Sequence, residues 1–254
     1  MTWSGEAAWR ASAGLARDAV RQELVARQLQ AHLPAPPARV LDIGCGQGTQ
    51  LVRLARRGYD VVGLDPSEDL LAEARAATGE VRERVELRRG ELEGLDDEQF
   101  DAVCCHGVLM YLPSLADGVA ALARAVRPGG VVSVLTRNRA GIAMRAGMAG
   151  DWAGALDGFD ARTYTNRLGL IEVRADEPEE VMAAFAAAGV DTAAWYGVRL
   201  FTDHWGDIAP PDDLDAAVAA EAEAGRRDPY RRVAALTHTV GVRSGSRSRR
   251  VENR

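Results

Sequence analysis

A doubly wound α/β fold, built on a mostly parallel sheet of seven strands with an antiparallel C-terminal edge, is what this 254-residue chain predicts. Three observations lead there. The apolar runs "ARVLDIGCG", "YDVVGLD", "RVELRRG", "FDAVCCHGVL" and "VVSVLTRN" have the length and β-branched content of buried strands. Segments with helical periodicity separate most of them, and such alternation builds βαβ units into a parallel sheet with helices on both faces. After the fifth run the pattern changes. "AAWYGVRLF" and "LTHTVGVR", joined through an acidic, Ala-rich helix near residues 212–226, predict an antiparallel pair at the sheet edge.

The elements follow in order. Residues 5–32 carry apolar positions at helical spacing and stop at the prolines of "LPAPP". "TQLVRLARRG" is a helix closed by Gly58, and "SEDLLAEARAAT" is a helix with Ser67 at its N-cap. A helix around "LADGVAALARAV" and a turn at "RPGG" lead into the fifth strand. Residues 138–170 form a Gly-, Met- and Arg-containing insert of weak periodicity, and "EPEEVMAAFAAAGV" is a helix with a glycine stop. One domain over 1–242 is expected, with its core at 33–137, followed by a flexible Arg-rich tail at 243–254.

Composition narrows the function. No run of about 18 apolar residues exists, so no transmembrane helix is expected. The N-terminus lacks a basic start followed by an apolar run, which predicts a cytoplasmic protein. Cys45, Cys104 and Cys105 make neither a disulfide framework nor zinc-ligand spacing, and no metal is expected. A net charge of −6 argues against broad nucleic-acid binding, although Arg243, Arg247, Arg249, Arg250 and Arg254 form a local basic tail. The chain contains no lysine: all 31 basic residues are arginine. A P-loop ending in Gly-Lys, a lysine Schiff base and the Tyr-x-x-x-Lys pair of short-chain dehydrogenases are therefore excluded.

The stretch "VLDIGCGQGTQ" carries the chemistry. Gly44, Gly46 and Gly48 are spaced G-x-G-x-G, not as the dinucleotide fingerprint G-x-G-x-x-G. Asp42 precedes them on the first strand, and Asp65 ends the second, where a doubly wound sheet faces its ligand crevice. An acid there accepts both hydroxyls of a ribose; the alternative for Asp65 is a helix cap in "DPSED". Over residues 38–137 this combination resembles class I S-adenosylmethionine (SAM)-dependent methyltransferases, whose fold is Rossmann-like. The resemblance implies that the glycines let the backbone approach the methionine part of SAM and that Asp42 meets its ammonium. It also implies that Asp65, with Pro66 beside it, holds the ribose. Glu91 and Leu92 in "RRGELEG" would contact the adenine, with a solvated surface acid as the alternative for Glu91. His106 ends the fourth strand, as a base for a phenol or amine acceptor or, the favoured reading, as a cofactor-contact or packing residue. Cys104 and Cys105 read as strand packing.

The second half resembles one subgroup, the bacterial tRNA 5-carboxymethoxyuridine methyltransferases, in "VRQELVARQL", "RNRAGIAMRAGMAGDW", "YGVRLFTDHW" and "RDPYRRVAALTHTV". That resemblance implies a tRNA wobble uridine as partner, with Arg21 closing over the SAM carboxylate and Gly44 and Cys45 lining it. An anionic acceptor calls for a guanidinium fork; Arg199, Arg145 and Arg167 are the candidates, Arg199 foremost. Tyr164, Tyr196 and Trp205 are candidates to stack on a flat acceptor. Three other readings stay open: O- or N-methylation of a small natural-product acceptor under a lid formed by the insert, a non-catalytic SAM-fold binding protein, and a nicotinamide dehydrogenase.

Overall fold

The computed structural model describes residues 6–94, 98–165 and 172–245. Arg167 and the tail arginines 247, 249, 250 and 254 lie outside the described residues.

The predicted N-terminal helix is two helices, α1 (Glu6–Ser12) and α2 (Ala16–Gln30). Gly14 breaks it by taking φ 77°, a conformation that glycine adopts without steric cost. β1 (Arg39–Ile43), α3 (Thr49–Arg56), β2 (Asp60–Asp65) and α4 (Glu68–Ala77) follow as expected, with Ser67 Oγ accepting the Leu70 N–H to cap α4. β3 (Val85–Arg89), β4 (Phe100–His106) and α5 (Leu115–Ala125) complete the first half.

The expected turn at "RPGG" lies within β5 (Val126–Arg137), at a shift in its register with β4. Phe100 pairs with Val126 and Ala102 with Val131, so four residues loop out between adjacent pairings.

The insert holds more structure than its weak periodicity predicts: α6 (Ala140–Met148), α7 (Trp152–Gly158) and β6 (Thr163–Thr165), which pairs antiparallel with β7 (Glu172–Arg174). α6 and α7 cross closely because Gly158 lies against the Ala143 backbone, where a Cβ would come within 2.8 Å of its Cα. α8 (Pro178–Ala187) starts in a capping box of Glu177 and Glu180, and β8 (Val190–Val198), α9 (Leu214–Ala224) and β9 (Leu236–Arg243) end the fold.

The seven-stranded sheet has the order β3-β2-β1-β4-β5-β9-β8. β1 to β5 pair in parallel, and β9 slots between β5 and β8, antiparallel to both. Side chains along β4 alternate between two layers. Val103 and Cys105 join Val119 and Leu122 of α5 and Phe185 of α8; Ala102 and Cys104 join Leu51, Leu54 and Leu71 of α3 and α4. Each fully buried leucine contributes about 1.5–3 kcal/mol. The two cysteines thus face opposite layers as packing residues, and burial pushes both thiols up.

The strand order reverses between β1 and β4, and the crevice at the C-terminal ends of the parallel strands lies at that switch point. Among the described residues no helix is long and apolar enough to cross a membrane. Nor does any group of three or more His, Cys, Asp or Glu residues among them have metal-binding geometry.

Candidate active site

The crevice opens into a cavity of about 540 Å³, within the roughly 300–1,000 Å³ of small-molecule sites. One end is built by the strand ends that the glycine turn joins. Gly44, Cys45 and Gly46 line it together with Asp42, Asp65, Pro66, Glu91 and Leu92. Gly44 holds φ 68°, and a Cβ there would fall 2.3 Å from Val108 Cγ2. Gly44 is therefore required twice over, by conformation and by space.

Asp65 pins the turn. Its Oδ2 accepts the Gly46 N–H at 2.9 Å, and its Oδ1 accepts the Ser67 N–H at 2.9 Å. Burial raises the Asp65 carboxyl, against the pull of these two bonds. The helix-cap alternative is thus partly realised: Asp65 orders the chain before α4, while Ser67 is the cap itself. Each Asp65 oxygen still has a lone pair for a ligand hydroxyl.

Asp42 is buried, lines the cavity and has no hydrogen-bond partner among the described residues. Burial, with the nearby Asp65 charge second, pushes its carboxyl up from 3.8 to about 7. An unpartnered buried carboxyl beside a glycine turn fits a cationic group. Glu91 is exposed at the rim and Leu92 is buried.

The other end is an arginine cluster. Arg17, Arg21, Arg137, Arg145 and Arg199 all line the cavity. Arg21 pairs with Asp18 at 2.5 Å. Burial works to raise Asp18, but Arg21 outweighs it and holds the carboxyl below its usual range. Arg145 and Arg199 each reach Asp203 at 2.9 Å, and Arg137 stands 3.9 Å from it. Burial pushes Arg199 down to about 10, and Arg137, Arg21 and Arg17 add like-charge repulsion that Asp203 only partly offsets. Burial lowers Arg137 as well. The Nε–H groups of Arg137 and Arg199 find no acceptor among the described residues.

Arg199 is held at φ 60°, the one non-glycine residue with positive φ among those described. The left-handed region costs a side-chain-bearing residue about 1–2 kcal/mol, and such strain concentrates at functional sites. Glu221, buried on α9, fixes the following turn by accepting the Leu200, Phe201 and Thr202 N–H groups and the Thr202 hydroxyl.

The structure thus brings together Arg21, Asp42, Gly44, Cys45, Gly46, Asp65, Pro66, Glu91, Leu92, His106, Arg145, Tyr164 and Arg199 around one cavity. Two expected stacking residues are elsewhere. Tyr196 packs by His32 and His238, and Trp205 lies outside the cavity wall. Tyr164 is present, but the Arg137 guanidinium already lies 4.3 Å from its ring centroid.

Sequence reasoning missed Arg17, Asp18, Arg137 and Asp203. Arg137 had a signal, since it ends the fifth strand where Asp65 ends the second. The insert supplies Arg145 and Tyr164 to the wall and leaves Trp152, Leu156 and Phe159 exposed.

Residues 41–134 match a family model described as a methyltransferase domain. The fold is that of the class I S-adenosylmethionine (SAM)-dependent methyltransferases, and the domain match falls on its glycine turn and first five strands; the cofactor of proteins with this domain is SAM. Among curated relatives, the chain is 40% identical over 114 residues to the ubiquinone biosynthesis O-methyltransferase of Methylococcus capsulatus, covering 44% of this chain and 48% of that protein. It is 42% identical over 104 residues to the enzyme of the same name from Alkalilimnicola ehrlichii, covering 40% and 42%. The matched region therefore spans under half the length of these relatives.

Among solved structures, magnesium protoporphyrin IX methyltransferase from Synechocystis, with bound S-adenosylhomocysteine, superposes with a TM-score of 0.64 at 17% identity, covering 94% of each chain. The 1,6-didemethyltoxoflavin-N1-methyltransferase of Burkholderia thailandensis does so at 0.60 and 20%, covering 90% of this chain and 80% of that one. At these identities the likeness is one of fold.

Proposed function

We propose that this protein transfers the methyl group of SAM to a small molecule that carries a carboxylate, forming an O-methyl product. The arginine cluster is the observation that carries this reading. Five guanidiniums line one end of the cavity, and two buried Nε–H groups there lack acceptors among the described residues. An anion relieves their mutual repulsion and fills a bidentate fork.

When bound, SAM supplies an electrophilic methyl on a sulfonium. The chain's own residues then have two tasks. Asp65 receives the ribose hydroxyls, Asp42 meets the ammonium, and Arg21 reaches the cofactor carboxylate; Glu91 and Leu92 flank the adenine. The arginines orient the acceptor oxygen for in-line attack.

A general base is not called for. Burial, with Arg21 second, pushes His106 down to about 3, so it stays neutral and takes up no proton near pH 7. The Cys45 thiol is pushed up and holds its proton. A carboxylate is already ionised and suits such a site, whereas a phenol needs a proton acceptor. The small-molecule reading agrees with the relatives, which are named for ubiquinone biosynthesis. The tRNA wobble-carboxylate reading shares the same fork but has to overcome a net charge of −6.

The deciding experiment incubates the protein with methyl-labelled SAM and, separately, bulk tRNA or a metabolite extract, followed by mass spectrometry. The expected result is label in a base-labile small-molecule ester. Label on a tRNA nucleoside would replace the small-molecule reading with the tRNA one, and label only on neutral phenols or amines would remove the carboxylate.

The Asp42 environment adds a pH prediction. The folded carboxyl is raised, so in the free protein its contribution to stability is full below about pH 4 and is lost as pH rises through about 7. A bound ammonium lowers that value again, so SAM affinity should fall by up to about tenfold per pH unit below 7. Calorimetric titration with S-adenosylhomocysteine across pH checks this; Asp42→Asn should flatten the profile.

A further inference from the structure

A buried polar chain crosses the sheet from α2 to the cavity and leaves the arginine cluster aside. His106 Nε2 lies 2.8 Å from Ser133 Oγ, Ser133 Oγ lies 2.8 Å from His238 Nε2, and His238 Nδ1 lies 2.8 Å from Gln28 Oε1. Strand register places its links side by side: Cys104 pairs with Ser133, Ser133 with Val240, and Leu135 with both His106 and His238. Ser133 and His238 are fully buried, Gln28 nearly so, and the two imidazoles meet edge to face at 5.4 Å. The ring of Tyr196, whose hydroxyl bonds His32, packs 6.0 Å from His238 on the other side.

The chain has a direction. Gln28 Oε1 faces His238 Nδ1 and only accepts, so His238 Nδ1 carries its ring proton. Gln28 Nε2 is buried without a partner among the described residues; the reversed amide would reverse every link and leave His106 Nδ1 protonated. Burial keeps His238 neutral, so its Nε2 is a bare acceptor and receives the Ser133 O–H. The Ser133 oxygen in turn accepts from His106 Nε2–H. His106 is neutral too, so its Nδ1 is left with a lone pair. That atom has no partner among the described residues and is not sealed off from solvent, and His106 lines the cavity, so it faces the ligand space.

We propose that Gln28, His238 and Ser133 are positioning residues that lock His106 into its Nε2–H tautomer, and that the Nδ1 so presented selects an acceptor carrying an O–H or N–H donor next to its carboxylate. A bare oxygen anion against this lone pair is repelled, while a hydroxyl or amino donor is held. The acceptor class is then a hydroxy- or amino-acid, with the carboxylate on the arginines and the donor on His106. The selection of the acceptor rests on the small-molecule reading above; the locked tautomer does not, so the two fail separately.

The test is nitrogen NMR of the full chain labelled in its histidine rings and saturated with S-adenosylhomocysteine. The expected spectrum shows His106 at neutral pH with Nε2 protonated and Nδ1 bare. Gln28→Leu and Ser133→Ala should each give a mixture of His106 tautomers, while Gln28→Glu, which keeps the accepting oxygen, retains the wild-type form. Thermal unfolding separates these changes from loss of fold. A protonated Nδ1 in the wild type, or a tautomer unmoved by both disrupting variants in folded protein, overturns the locked chain.

3-Hydroxybenzoate and benzoate then serve as probes of recognition. The hydroxylated acid should bind more tightly and shift the Nδ1 resonance. Equal affinity for the two acids, or binding of neither, overturns the selection role while leaving the tautomer result standing.

Discussion

Asp65→Ala should lower affinity for S-adenosylhomocysteine by at least about 100-fold, while the protein still unfolds in one cooperative transition. Two hydrogen bonds from a ribose diol to an ionised carboxylate are worth about 1.5–3 kcal/mol each, and 100-fold corresponds to about 2.7 kcal/mol. The same carboxylate holds the Gly46 and Ser67 N–H groups, so its removal also loosens the glycine turn. Asp65→Asn separates the two roles. The amide keeps one accepting oxygen but turns an N–H toward a backbone N–H, so affinity should again fall steeply. Calorimetry gives the affinity and a thermal scan the fold; a dissociation constant unchanged in both variants would remove Asp65 from the ribose.

Arg199→Gly should abolish methylation of the acceptor found by labelling, by at least about 100-fold in kcat/KM, and leave S-adenosylhomocysteine affinity unchanged. Glycine is the informative replacement because Arg199 sits at φ 60°. Alanine would keep the strain of the left-handed region, whereas glycine removes the guanidinium and the strain together. Asp203 keeps Arg145 at 2.9 Å and Arg137 at 3.9 Å, so no buried carboxylate is orphaned. Truncating one partner of a buried charged pair costs about 2–5 kcal/mol in binding, which supports a loss of this size. Arg199→Lys, with charge but no fork, should recover only part of it. Turnover at the wild-type rate in Arg199→Gly would assign the clamp to Arg137 and Arg145.

Much of the glycine-turn end of the cavity was legible in the sequence because it is local. Gly44, Gly46 and Asp42 lie within five residues of one another, and Asp65 ends the next strand, so strand periodicity alone brings them to one edge of the sheet. The arginine end was legible only in part. Arg199 and Arg145 were candidates by residue type, but Arg137, Arg17 and the counter-charge Asp203 come from segments far apart in the chain. Tyr196 illustrates the limit: it reads as a stacking residue, yet its place in β8 turns it toward His32 and His238.

The sequence by itself determined the alternation of strands and helices, the glycine turn and the strand-end carboxylates, because these follow from periods of 2 and 3.6 residues and from backbone freedom at glycine. Tertiary structure alone decided where β9 inserts, how α6 and α7 pack together and bring Arg145 to the cavity, and which arginines share Asp203. It also decided that His106 connects to Gln28 across three strands. Those pairings join residues as far apart as Gln28 and His238. They depend on packing and burial, through which a neutral imidazole or a crowded guanidinium takes on properties that its local sequence does not carry.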